Sequence, residues 1–185
     1  MRLTDPTTIR ALAHPLRLSL IELLGTVGPA TAAQCARHLD STQANCSFHL
    51  RQLAKYGFVE KAPSSGDGRE NPWQLTDLEQ SWSSGDGGPA TRELERVFIQ
   101  REAERMLSWR AGVDQQPESW RDASFLSGAT IPMTTEELSS VAVQLRAVLE
   151  PYIQRLSERS DWPEDCRFVR VLLAGTPVAN LDEER

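Results

Sequence analysis

Residues 41–58, S-T-Q-A-N-C-S-F-H-L-R-Q-L-A-K-Y-G-F, constrain this chain more than any other stretch. They read as one amphipathic helix with a stop signal at each end. Ser41 or Thr42 can accept from an orphan backbone N–H of the first turn. Gly57 follows the last periodic residue, where a left-handed residue ends a helix at little steric cost. Cys46, Leu50 and Leu53 recur at i, i+4 and i+7 and form a buried stripe. Another face carries Gln43, Asn45, Ser47, Phe48, Arg51, Gln52 and Lys55, with no carboxylate. Such a face suits phosphates and base edges. It equally describes a solvated surface, so the neighbouring segments decide.

Upstream, Thr4-Asp5-Pro6 starts a first helix through Ile9 and Leu12, which His14-Pro15 ends. A second helix from Pro15 to Leu24 is apolar nearly all round and reads as the central core helix, closed by Gly25. Thr31 and Gln34 have capping-box spacing, which predicts a short helix over Ala32–Leu39. A short helix, a tight turn at Asp40-Ser41 and a longer helix form a helix-turn-helix pattern. Downstream, Phe58–Ala62 and Asn71–Leu75 flank a turn-rich P-S-S-G-D-G-R-E segment, which predicts a β-hairpin, with Pro72 marking its second strand as an edge. These elements make a winged helix-turn-helix over residues 1–80, with a recognition helix at 42–56 and a wing at 59–75. Residues 81–90 read as a linker.

From 91 to 185 the sequence predicts a long charged helix (91–110), a loop (111–123) and a strand near Gly128. A capped helix from Thr134, kinked at Pro151, follows, and then a strand over Cys166–Leu173. The whole chain is therefore expected to be mainly α with a small β component, the winged domain being followed by a long helix and a small α/β module. That C-terminal region is the expected seat of dimerisation and of a candidate small-molecule effector site lined by Trp109, Trp120, Phe125, Trp162 and Phe168. Ordinary core and dimer packing explains the same aromatics.

Net charge is −6, but residues 1–80 hold eight basic and eight acidic side chains and residues 81–185 hold twelve and eighteen. A neutral front and an acidic back allow a local basic face while keeping polyanions off the rest. No apolar run approaches the ~20 residues that cross a bilayer, so no membrane partner is expected. The N-terminus has no apolar signal region. Three cysteines fit reduced thiols and a cytoplasmic location better than a disulfide framework.

The runs L-A-H-P-L-R-L-S-L-I-E-L-L (Leu12–Leu24), C-S-F-H-L-R-Q-L-A-K-Y-G-F-V-E (Cys46–Glu60) and G-R-E-N-P-W-Q-L (Gly68–Leu75) resemble the ArsR-type winged helix transcriptional regulators. The likeness is to the actinobacterial-looking subgroup with a longer C-terminal half, and it spans residues 5–78. It implies a cytoplasmic homodimer on a double-stranded DNA operator, a repressor whose affinity a signal alters. It also implies operator contacts from the first turns of the recognition helix, here Gln43, Ala44, Ser47 and Phe48, and backbone contacts from the wing through Arg69. Phe48 stands where many relatives carry His or Arg; it can touch a thymine methyl but cannot hydrogen-bond a base. The full expected DNA face is Gln43, Ala44, Asn45, Ser47, Phe48 and Arg51, with Lys55, Lys61 and Arg69 neutralising phosphates. The cysteine pair of metal-sensing relatives would fall on Thr31 and Ala33, and no histidine follows His49, so no metal or other cofactor is expected.

Two chemical readings compete with packing. Cys35-x2-His38 and Cys46-x2-His49 have zinc-like spacing, and Cys46 with His49 could pair a nucleophile with a base. Cys46 lies in the buried stripe, where a free Cys packs as a small hydrophobe, and no orienting group or oxyanion site accompanies it. No enzymatic activity is expected. His14 before Pro15 is either a pH switch or a helix-junction cap. The alternative to a DNA-binding regulator is a winged-helix protein-interaction module without specific DNA binding, which the net acidity motivates.

Overall fold

The computed structural model describes residues 2–63, 71–77, 81–82, 88–156 and 162–178. The chain divides into two compact units, Met1–Trp109 and Arg110–Arg185. Compactness thus carries the long helix with the winged elements, whereas composition suggested a cut at 81–90.

In the first unit, α1 (Pro6–Leu12) begins where the Asp5 carboxylate accepts from the Thr8 backbone N–H at 2.7 Å. At the junction with α2 (Pro15–Val27), the His14 Nδ1 accepts from the Leu16 N–H at 3.2 Å, capping a helix that has Pro at its first position. α2 does not close at Gly25 but runs on to Val27 and stops at Gly28, which has φ of 83°. Across the core from Gly25 lies the wing. A Cβ on Gly25 would stand 3.4 Å from Leu75 Cδ1, so this is where the wing approaches the helix. That distance is still ordinary contact, while a helix-interior Gly costs about 1 kcal/mol relative to Ala. Gly25→Ala is therefore expected to raise the urea midpoint, by an amount worth up to about 1 kcal/mol of stability. A lowered midpoint would show that Leu75 has no room to give.

α3 (Ala32–His38) has the expected capping box: Gln34 N–H donates to Thr31 Oγ1 at 3.2 Å, and Thr31 N–H to Gln34 Oε1 at 2.7 Å. The turn into α4 (Gln43–Lys55) has no glycine. Asp40 takes its place at φ 46°, a left-handed conformation that Asp tolerates better than most side chains. Thr42 caps α4, accepting from Asn45 N–H at 3.2 Å. Gly57, at φ 75°, ends it, and Phe58 N–H returns to the Leu53 carbonyl at 3.0 Å. The buried stripe is Cys46, Leu50 and Leu53, joined by His49.

The wing consists of β2 (Val59–Lys61) and β3 (Trp73–Leu75), antiparallel with Lys61 opposite Trp73 and Val59 opposite Leu75. β3 is not simply an edge. Trp73 N–H donates to the Ala30 carbonyl at 2.8 Å and the Ala30 N–H donates back at 2.9 Å, so Trp73 is paired on both sides. Pro72 is compatible with this because it precedes the strand, where no ladder donor is needed. The wing tip, residues 64–70 with Arg69, lies outside the described residues. β1 (Arg2–Leu3) pairs in parallel with β4 (Ser81–Trp82), within the stretch read as linker. α5 (Pro89–Gly112) packs Ala90, Leu94 and Val97 into the same core as Leu12, Leu20, Leu50 and Phe58.

In the second unit, a 3-10 turn (Val113–Gln115) and α6 (Glu118–Ala123) occupy what was read as loop. α7 (Thr135–Gln154) carries the expected capping box, with Glu137 N–H on Thr134 Oγ1 at 3.2 Å and Pro151 inside the helix. The two expected strands are absent: among the described residues no strand follows β4. Residues near Gly128 and over Cys166–Leu173 have the composition of strands, but β structure needs a ladder partner and the described residues supply none to them.

Candidate nucleic-acid interface

The exposed side of α4 resolves into two rows. Gln43, Ser47 and Arg51 follow one another at i, i+4 and i+8 and face the wing. Ala44, Phe48 and Lys55 form the adjoining row, and Phe48 is half exposed (51%), its ring edge-on to His49 at 5.1 Å. Asn45 is turned back: its Nδ2 donates to Ser41 Oγ at 3.2 Å, at the start of the helix.

Between α4 and the wing lies an open groove of about 470 Å³. It brings Gln43, Ser47 and Arg51 together with Lys61, as expected from the sequence, and adds Asn71 and Trp73, which the sequence did not suggest. The Lys61 ammonium sits 3.8 Å from the centre of the Trp73 ring and donates to the Asn71 carbonyl at 2.9 Å. An aromatic face and a carbonyl thus fix a positive charge at the groove wall. The signal for Trp73 was available in the hairpin, since a two-residue alternation places it across from Lys61 on the same face. The neighbouring Glu60 points to the opposite face, where it accepts from Gln74 Nε2 at 2.9 Å, so among the described residues no wing carboxylate enters the groove wall. Lys55 lies outside the groove, its ammonium 5.5 Å from the Tyr56 ring centre.

Residues 12–62 match the family model of a helix-turn-helix domain. The match begins at the end of α1 and runs through α4 into the first wing strand. No curated protein matches the chain. Similar solved structures include an apo-form mutant of Lactococcus lactis ZitR, 16% identical over 76% of this chain and 83% of that one, with a TM-score of 0.36. A MarR family regulator from Neisseria meningitidis is 14% identical over 78% and 79%, with a TM-score of 0.34. A transcriptional regulator from Thermotoga maritima is 14% identical over 76% and 79%, with a TM-score of 0.33. Overlaps this loose leave the winged architecture to rest on the chain's own geometry.

The underside of the helix-turn-helix accounts for the residues that first suggested chemistry. Cys35 and Cys46 are fully buried, and burial pushes the Cys35 thiol up to about 11 and the Cys46 thiol upward as well. Neither favours the thiolate that a nucleophile or metal ligand requires. His38 is exposed while its nominal partner Cys35 is not, and no group of three or more candidate ligands occurs among the described residues. His49 stacks on His14 with ring centres 4.3 Å apart. Burial lowers both imidazoles; Arg17 beside them lowers both further, and His14 adds to the effect on His49. His14 therefore serves as the helix-junction cap, an acceptor role that needs its Nδ1 unprotonated.

In the second unit the aromatics do not converge. Phe125 is 83% exposed, Trp162 meets Phe168 edge-on at 5.3 Å, and Trp120 lies under the Arg167 guanidinium at 5.2 Å.

Proposed function

We propose that this chain is a sequence-specific DNA-binding transcriptional regulator of ArsR type, acting as a homodimeric repressor in the cytoplasm. One observation carries the reading: an acid-free helix face opens onto a groove whose far wall holds the Lys61 ammonium. In the proposed complex α4 enters the major groove, with Gln43, Ser47 and Phe48 against base edges and Ala44 and Asn45 at the leading turn. Gln43 can pair bidentately with adenine. Phe48 can pack on a thymine methyl. Arg51, Lys55 and Lys61 meet phosphates, and Arg69 at the wing tip adds a further charge. The positive end of the α4 dipole lies at Gln43. Two copies of α4 about 34 Å apart would read a near-palindromic operator.

Selection of bound duplexes from a random pool, followed by titration of the winner at several salt concentrations, tests this. The expected result is a winning sequence and an affinity falling steeply with salt. Arg51→Ala and Lys61→Ala should each weaken binding on all sequences and lower the salt slope by about 1. Gln43→Ala with Ser47→Ala should instead relax discrimination, by about 1–3 kcal/mol for each base pair no longer read. If no sequence outcompetes random DNA, the regulator reading falls and the protein-interaction module takes its place.

A further inference from the structure

We propose that α7 and the strand-like segments 124–133 and 166–173 form an interface for a second copy of this chain, in which those two segments of one copy complete strand ladders with those of the other. This rests on the dimeric reading above and assigns that dimer to a particular surface.

The second unit cannot be complete alone. None of its described residues is buried. Fifteen large apolar side chains in it are each more than a third exposed, among them Phe125 at 83%, Leu126 at 90%, Val148 at 66% and Val169 at 65%. At roughly 150 Å² for a large side chain, they leave on the order of 1,200 Å² of apolar surface in water. A standard interface needs about 800 Å² per partner, so the surface is large enough for a stable dimer. α7 shows the same deficit, since helices in proteins owe most of their stability to packing of the apolar face. Yet Leu145 and Val148 on α7 stand 44% and 66% exposed.

Backbone chemistry points to the occupant. Segments 124–133 and 166–173 are strand-like in composition, and neither joins a ladder. The second is nonetheless part of a tail held close to the helix: a Cβ on Gly175 would stand 3.0 Å from Leu138 Cδ1 of α7. Among the described residues, one chain therefore has a helix and two strand-like segments outside any ladder, a layer without its second layer. A second copy supplies the missing strands in matching number, and a two-fold axis satisfies both copies at once. Charge agrees. Segment 124–133 contains no charged residue, so it meets its own copy without like-charge repulsion, whereas residues 110–185 hold eight basic and thirteen acidic side chains, which keeps nucleic acid away.

Light scattering on the full chain at micromolar concentration should give a dimer, and Leu145→Glu with Val148→Glu should give a monomer. Both side chains face water in the single chain, so the charges should leave the far-ultraviolet circular dichroism of the monomer unchanged. Hydrogen exchange on the unaltered protein gives a second readout that needs no variant. Amides in 124–133 and 166–173 should exchange at least about 100-fold more slowly in the dimer than upon dilution to monomer. A monomeric full chain, a variant that stays dimeric, or a dimer with unprotected amides in both segments overturns the proposal. A dimer of this kind that selects no DNA sequence would sink the regulator reading and leave the interface standing. A specific DNA binder whose dimer ignores the α7 charges would do the reverse.

Discussion

Phe58→Ala is expected to cost about 3–5 kcal/mol of stability, the range for truncating a buried aromatic. Phe58 is fully buried and directly follows Gly57, at the joint between α4 and the wing. Its N–H bonds to the Leu53 carbonyl at 3.0 Å, and its carbonyl accepts from Thr76 N–H at 3.2 Å. Those backbone bonds survive the substitution, so the loss is the ring's packing and the cavity it leaves. A cost of this size is a large share of the roughly 5–15 kcal/mol that holds a typical domain. Chemical denaturation should show the midpoint falling steeply for Ala and much less for Phe58→Leu, which refills most of the volume. Because Phe58 stands at the joint between α4 and the strand that carries Lys61, DNA affinity should fall in the same order. Equal stability of the Ala and Leu variants would sink the account of Phe58 as the packing joint.

The second large effect belongs to Glu22 on α2. Its carboxylate accepts from Arg101 and, through both oxygens, from Arg105 at 2.7 and 3.0 Å, tying the core helix to α5. Burial by itself would raise the Glu22 carboxyl, but the hydrogen bonds from Arg105 and Arg101 outweigh it and hold the group at about 2, against 4.5 for an ordinary Glu. A folded pKa below the unfolded one means that the unfolded chain binds the proton more readily. The stabilisation is then fully present above about pH 4.5 and is lost as pH falls toward 2. It amounts to about 3 kcal/mol at neutral pH, an upper figure because water still reaches 35% of the Arg105 side chain. Glu22→Gln should lose most of this at neutral pH and little in acid near the folded pKa, so the urea midpoints of the two proteins converge as pH falls. Parallel curves across that range would show that the pair contributes nothing net.

The winged elements were legible in the sequence because each is set by local chemistry. Thr31 and Gln34 close a capping box, Gly57 takes the left-handed stop, and Cys46, Leu50 and Leu53 repeat on one face of α4. The end of α2 was misread for a reason of the opposite kind. Gly25 carries a local stop signal, but the left-handed stop falls at Gly28, and what approaches Gly25 is Leu75, from a strand far along the chain. His49 is buried against His14, which comes from outside α4, and no spacing rule reveals that stacking. In the groove, Gln43, Ser47 and Arg51 follow from helical periodicity. Asn71 and Trp73 join them only through hairpin register.

The sequence by itself determined the helices of the first unit, their caps and the acid-free face of α4, since propensity, capping and amphipathic period act within a few residues. Tertiary structure alone decided that Trp73 is paired on both sides, that Lys61 is held over its ring, and that Glu22 binds α5 through two arginines. It also decided that the strand-like segments after Ala123 remain without a ladder. A helix closes its own hydrogen bonds, so its sequence suffices to name it. A strand, a groove or an ion pair takes half of its stabilisation from residues far along the chain, or from another chain, and local sequence leaves that half unspecified.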